Sequence, residues 1–222
     1  LDVCLKDENA VLRHLKPGIA ARVQPPAPMV LPKAAFEKPP VVVGAGPAGL
    51  FAALTLARAG AQPILIERGK PVEARAQDVA RMAEAGVLDT ESNVQFGEGG
   101  AGAFSDGKLT TGIKSVHQQT VLETFVKHGA PEEILYLAKP HIGTDLLRGV
   151  VASMRAEILR LGGQVLFETR LEELLLAGHR VAGVKVRQGE LVREIATDTV
   201  LLCIGHSARD TLQTLFRQGV DM

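Results

Sequence analysis

Residues 39–57, PPVVVGAGPAGLFAALTLA, run for nineteen positions without a charge. On length alone such a stretch reaches the roughly 20 residues that a membrane-spanning helix needs. Its internal order argues against that. Two prolines open it and GAGPAG interrupts it, whereas a span is continuously apolar and helical. Val41-Val42-Val43 reads instead as a buried strand that turns at the glycines into a helix from about 47 to 59.

The pattern continues as a βαβ unit, with a second strand over 63–66 followed by Glu67 and a polar helical stretch at about 71–86. Gly44-Ala45-Gly46-Pro47-Ala48-Gly49 is therefore a G-x-G-x-x-G between strand and helix, with Glu67 twenty-one residues beyond Gly46. Gly44 permits the tight turn, Gly46 lets backbone approach a pyrophosphate, and Gly49 allows close helix–strand packing. The helix N-terminus offers free N–H groups and the positive end of its dipole to the phosphates. Glu67 is placed to accept hydrogen bonds from ribose hydroxyls, and an acid there disfavours a 2′-phosphate, hence NADP. The spacing predicts dinucleotide binding.

Glycine makes up 23 of 222 residues, about one in ten against a usual 7%. Three lie at 44–49 and five more within 97–107, in Asn93-Val94-Gln95-Phe96-Gly97-Glu98-Gly99-Gly100-Ala101-Gly102-Ala103-Phe104-Ser105-Asp106-Gly107-Lys108. A loop of that composition can fold its amides and short polar groups around a second part of a large cofactor, a task that FAD sets and NAD does not. Arg68, Glu73 and Arg75, after Glu67, lie within reach of ribose or pyrophosphate, although helix charges are usually solvated surface.

Farther on, Leu147, Val150, Val151, Met154, Ile158 and Leu161 recur at helical spacing behind Thr144 and Asp145, candidate N-caps, and Gly162-Gly163 ends that helix. Val165–Glu168, Leu171–Leu176, Val181–Val186 and Leu191–Ile195 are short strands separated by turn-like AGHR and RQGE. Thr199 to Ile204 is an apolar run ending at Gly205, as expected of a strand buried on both faces. The fold class is α/β, a Rossmann-like FAD/NAD(P)-binding domain with a parallel sheet and an inserted antiparallel meander.

Six prolines in residues 25–40 mark 24–40 as an extended linker, and 1–23 as a lead-in or the end of an upstream domain, which leaves 41–222 as the cofactor-binding domain. Lys+Arg and Asp+Glu balance at 25 each, so there is no net field for nucleic acid or anionic membrane. Cys4 and Cys203 stand far apart without a CxxC, which signals neither disulfide framework, metal site nor redox dithiol and fits a reducing cytoplasm.

VVVGAGPAGLFAALTLARAG, ERGKPVEARAQDV, LDTESNVQFGEGGAGAFSDGKLTTGIK, GAPEEILYLAKPHIGTDLLRGVV and LLCIGHSARDT together resemble the bacterial FAD-utilising dehydrogenases, a branch of the glutathione-reductase-type flavoproteins. The resemblance spans nearly everything from about residue 40 to 222. It implies that Gly44, Gly46, Pro47, Ala48 and Gly49 hold the pyrophosphate and Glu67 the ribose. Arg75, Gly97, Gly99, Gly100, Gly102, Ser105, Asp106, Gly107 and Lys108 are implied to hold the rest of FAD, with the backbone near Leu171 facing adenine and Gly205 beside the cofactor. Cys203-Ile204-Gly205 stands where such proteins frequently carry Ala-Thr-Gly. A substrate domain and a closing glycine-rich segment follow in them, so a chain ending at Met222 is expected to be incomplete at its C-terminus.

Without a dithiol, hydride or electron transfer through the flavin is the implied chemistry, with NADH or NADPH as candidate donors and an unspecified small molecule as substrate. His141 and His206 are candidate acid/base groups by residue type, yet neither has a partner readable from sequence, and no residue is assigned as catalytic. Two other readings stay open: a flavin-fold scaffold without turnover, and an NAD-dependent Rossmann dehydrogenase.

Overall fold

The computed structural model describes residues 6–16, 18–20, 30–104, 107–109, 115, 117–137 and 139–220. Helix α1 (Glu8–His14) buries none of its residues, and residues 30–38 follow as exposed, irregular chain. Strand β1 (Val41–Val43), helix α2 (Pro47–Arg58), strand β2 (Ile64–Ile66) and helix α3 (Val72–Ala85) form the anticipated βαβ unit and its polar helix. Helices α4 (Gln118–Lys127) and α5 (Thr144–Arg160) precede strands β3 (Gln164–Leu166), β4 (Thr169–Ala177), β5 (Arg180–Gln188), β6 (Leu191–Ala196) and β7 (Val200–Leu202), and helix α6 (Arg209–Arg217) follows.

β3, β2, β1 and β7 make a parallel sheet in that order, while β4, β5 and β6 make the antiparallel meander. Side chains alternate across the parallel sheet, and both faces are covered. Val42 and Leu65 pack with Leu50 and Leu54 of α2 and with Val150, Met154 and Ile158 of α5. Val41, Val43, Ile64 and Ile66 face the other way, onto Leu171, Leu174, Val184 and Val186 of the meander and Leu215 of α6. Burial on both faces is why these strands are apolar at every position rather than at every second one.

Three expectations are corrected. The segment Val165–Glu168 does not open the meander. α5 crosses over and delivers β3 parallel to β2, and Glu168, with φ +51°, turns the chain into β4. Neither Thr144 nor Asp145 caps α5: Thr144 is already helical, Gly143 is the cap residue, and Asp145 pairs with Arg148 at 3.0 Å. β7, like β3 at the other end, is an edge strand of the sheet and is only half-buried, with Leu202 38% exposed.

Where α2, α4 and α5 meet, Glu157 accepts hydrogen bonds from Arg58 Nε and Nη2 at 3.0 and 3.2 Å and lies 3.1 Å from His128 Nε2. The Arg58 hydrogen bonds, against burial, hold the Glu157 carboxyl down at about 2 from its ordinary 4.5. Because the folded value is depressed, the stabilisation is complete above the ordinary value and is lost as pH falls toward about 2. His128, kept below its ordinary value first by burial, adds to the acid loss because charging it is disfavoured in the fold. Glu157→Gln is expected to cost about 2 kcal/mol near neutral pH and to flatten the acid limb of a urea-denaturation series. An unchanged acid limb would contradict this assignment.

Candidate functional site

The carboxyl ends of β1, β2 and β7 open onto a cleft of about 530 Å³, the size of a cofactor site and the place where open parallel sheets bind ligands. Gly44, Gly46, Pro47 and Ala48 line one side, Glu67 and Arg68 the end of β2, Gly97 and Gly100 the loop opposite, and Leu171 the meander side. Cys203, Ile204, Gly205, His206 and Ser207 close the fourth side. Of the expected site residues, Gly44, Gly46, Pro47, Ala48, Glu67, Arg68, Gly97, Gly100, Leu171 and Gly205 come together on this cleft, although they are spread over more than 160 positions.

The first turn is shaped by close backbone contact. At Gly44 φ is +98°, and a Cβ would stand 2.5 Å from the Cys203 carbonyl oxygen; a Cβ at Gly49 would overlap the Gly44 carbonyl. Gly46 differs. Its φ of −70° suits any residue, and among the described residues a Cβ there meets no atom closer than Gly100 Cα at 4.0 Å. The fold does not require glycine at 46, but a ligand seated against the backbone does. Gly46 is also the N-cap of α2 and supplies no side-chain cap, so the first-turn amides are left for an anion.

Glu67, 5% exposed, is engaged by backbone: Oε2 accepts from Ala45 N–H at 2.7 Å, and Oε1 from Gly69 N–H at 2.8 Å and Gly97 N–H at 3.1 Å. One carboxylate thereby joins the phosphate turn, the end of β2 and the glycine-rich loop, with acceptor capacity left at Oε2 on the cleft wall. Arg68 lies 4.3 Å from the Phe96 ring centroid and bonds Glu91 at 2.8 Å and Asp210 at 3.0 Å. Burial works against its charge, but those hydrogen bonds outweigh it and hold its pKa above the ordinary arginine value.

Arg75 does not line the cleft. It is 0% exposed, and its guanidinium donates to the carbonyls of Asn93 (2.8 Å), Val94 (2.9 Å), Glu98 (2.6 Å), Gly100 (2.8 Å) and Gly97 (3.3 Å). Its contact is with the loop, not the cavity, and burial pushes its pKa down to about 10, opposed by Glu67 and Glu98, so it stays charged at neutral pH. Gly99 docks the loop by donating to the Ala45 carbonyl at 2.8 Å.

Gly49, Gly99 and Gly102 also lie off the cleft surface. Gly107 and Lys108 sit farther along, where Lys108 bridges His141 as an isolated antiparallel pair, and His141 is exposed away from the cleft. Ser105 and Asp106 fall outside the described residues, as does Cys4. Phe96, Thr169, Arg170, Ala208 and Thr211 line the cleft without having been singled out. Only the nearness of Phe96 and Arg170 to Gly97 and Leu171 in sequence could have drawn attention to them. Burial pushes the Cys203 thiol up, so it stays protonated at neutral pH. Among the described residues no group of His, Cys, Asp or Glu is arranged to hold a metal, and no helix is long and apolar enough to cross a membrane.

Residues 40–149 match the family of FAD binding domains. The match covers the phosphate turn, Glu67 and the glycine-rich loop that faces them, and FAD is the cofactor of this domain. An uncharacterized protein of Clostridium beijerinckii is 52% identical over 183 residues, covering 82% of this chain and 34% of its own length. The NADH:fumarate oxidoreductase of Klebsiella pneumoniae is 26% identical over 210 residues, covering 82% of this chain and 22% of its own. Among solved structures, THI4 of Thermovibrio ammonificans superposes with a TM-score of 0.54 at 18% identity over 83% of this chain and 64% of that one, a likeness of fold. The chain therefore spans about a third or less of the length of these two curated relatives.

Proposed function

We propose that the chain is the FAD-binding part of an FAD-dependent oxidoreductase that moves hydride or electrons to or from a small molecule. The observation that carries this reading is Gly46, a glycine that no contact among the described residues requires, on a cleft bordered by uncapped helix amides and a second glycine-rich loop. Gly44, Gly46 and Ala48 would hold the pyrophosphate through backbone, with Gly49 letting helix and turn pack closely, Glu67 and Arg68 the adenosine ribose, and Gly97 and Gly100 the opposite side. Leu171 and Gly205 supply apolar and backbone walls. Gly99, Gly102, Gly107 and Lys108 would act by shaping the loop, as Arg75 does.

When bound, the flavin supplies the two-electron chemistry, and the protein's part is to hold it, orient it and keep water from its face. The meander inserted before β7 supports placement among the glutathione-reductase-type flavoproteins. The sparse cysteines support residence in a reducing cytoplasm. The name of the Klebsiella relative favours NADH as donor. Anaerobic mixing of the full-length, FAD-loaded protein with NADH or NADPH is expected to bleach the flavin absorption band. Loaded protein that no donor or substrate bleaches or reoxidises would make the domain a scaffold rather than part of an oxidoreductase.

A further inference from the structure

Behind the loop that lines the cleft lies a buried carboxylate with one oxygen left without a donor among the described residues. Glu98 stands between Gly97 and Gly100, both on the cleft wall, yet its side chain turns inward and is 0% exposed. Its Oε2 accepts from Val72 N–H at the start of α3 (2.8 Å) and from Arg155 Nη1 on α5 (3.0 Å). Its Oε1 is buried with no hydrogen-bond partner among the described residues.

The charged groups facing Glu98 are Glu73 and Arg75 from α3, Arg155 from α5 and Glu67 from the end of β2. Lys70, whose carbonyl accepts the Glu98 N–H, turns its ammonium to Asp78 and Asp89. Glu73 is mostly exposed, so the charges inside are the carboxylates of Glu67 and Glu98 and the guanidinium groups of Arg75 and Arg155, and neither guanidinium is committed to Glu98 alone. Arg75 directs its donors to carbonyl oxygens, and Arg155 divides itself between Glu98 and Glu73, the latter at 2.6 Å. Burial, opposed by the Val72 N–H and Arg155, pushes the Glu98 carboxyl up to about 7. A proton on Oε1 relieves the cost of holding an ionised carboxylate away from water.

FAD brings a doubly ionised pyrophosphate to the glycine turn, and this loop rests on that turn through Gly99 N–H and the Ala45 carbonyl. Added negative charge disfavours an ionised carboxylate nearby, the more so in an interior of low dielectric. We propose that Glu98 is a positioning residue that takes up a proton from solvent when FAD binds and returns it on release, so that cofactor affinity rises as pH falls through neutrality. The inference rests on the FAD reading above. The sign follows from linkage: if the bound form holds more protons than the free form, lowering the pH favours the bound form.

The test is titration of the full-length apoprotein with FAD, followed by flavin fluorescence from about pH 8.5 to about pH 6, with calorimetry in buffers of different ionisation heat. In the wild type the dissociation constant is expected to fall roughly tenfold across that range, with net proton uptake. Glu98→Gln keeps the acceptor for Val72 N–H but carries no charge. It is expected to bind at the low-pH affinity of the wild type throughout, with less proton uptake. His206, on the cleft wall, is present in both proteins, so their difference isolates Glu98. A flat wild-type profile, net proton release, or the same uptake in Glu98→Gln would overturn the proposal. Should the variant not fold, zero uptake or release in the wild type overturns it alone. Absence of FAD binding at every pH would instead overturn the cofactor reading on which the proposal stands.

Discussion

Gly46→Val is expected to weaken FAD binding by on the order of 100-fold, about 2.7 kcal/mol, while changing folding stability by no more than about 1 kcal/mol. The two effects separate because of what surrounds the position. The backbone there has φ −70°, and among the described residues a Cβ meets only Gly100 Cα at 4.0 Å, which leaves room for a side chain. The branched side chain would stand in the cleft, where a phosphate must lie against backbone amides. Gly49→Ala makes the contrast. A Cβ at 49 overlaps the Gly44 carbonyl, so that smaller substitution is expected to cost about 3 kcal/mol of stability. Equilibrium denaturation and cofactor titration of both variants distinguish the roles. A Gly46→Val protein that keeps stoichiometric FAD would show that the phosphates do not sit at this turn.

The largest loss of stability is expected from Arg75→Met, about 3 to 5 kcal/mol by urea denaturation. Methionine fills part of the space but leaves the carbonyls of Asn93, Val94, Gly97, Glu98 and Gly100 without the donors that now satisfy them. Arg75→Lys is expected to recover only part of this, because an ammonium lacks the planar fork that reaches several carbonyls at once. FAD affinity should fall with loop order in both variants. Near-normal stability in Arg75→Met would mean that the loop is held by other contacts.

The βαβ unit was legible because its signals are local. Val41–Val43 and Ile64–Ile66 are apolar at each position, GAGPAG separates strand from helix, and Glu67 follows at the right distance. The sheet assignment of Val165–Leu166 was not, because pairing with β2 is decided by the crossover of α5 and not by residue type. The exposed outer edge of β7 was hidden for a similar reason: an apolar run does not reveal whether a neighbour covers it. At the site, glycine positions were readable but side-chain direction was not. Arg75 and Glu98 both turn inward from a region whose charges usually face solvent, and only the packed loop shows that one holds its carbonyls together and the other carries an unmet acceptor. Phe96 and Thr169 reach the cleft through loop path and strand register, neither of which composition encodes.

Everything proposed for this cleft depends on its holding FAD. The most direct test of that is to purify the full-length protein, denature it gently, and identify and quantify the released cofactor by chromatography. One FAD per chain is expected. Release of NAD, or of no nucleotide together with failure of the apoprotein to take up added FAD, would contradict it.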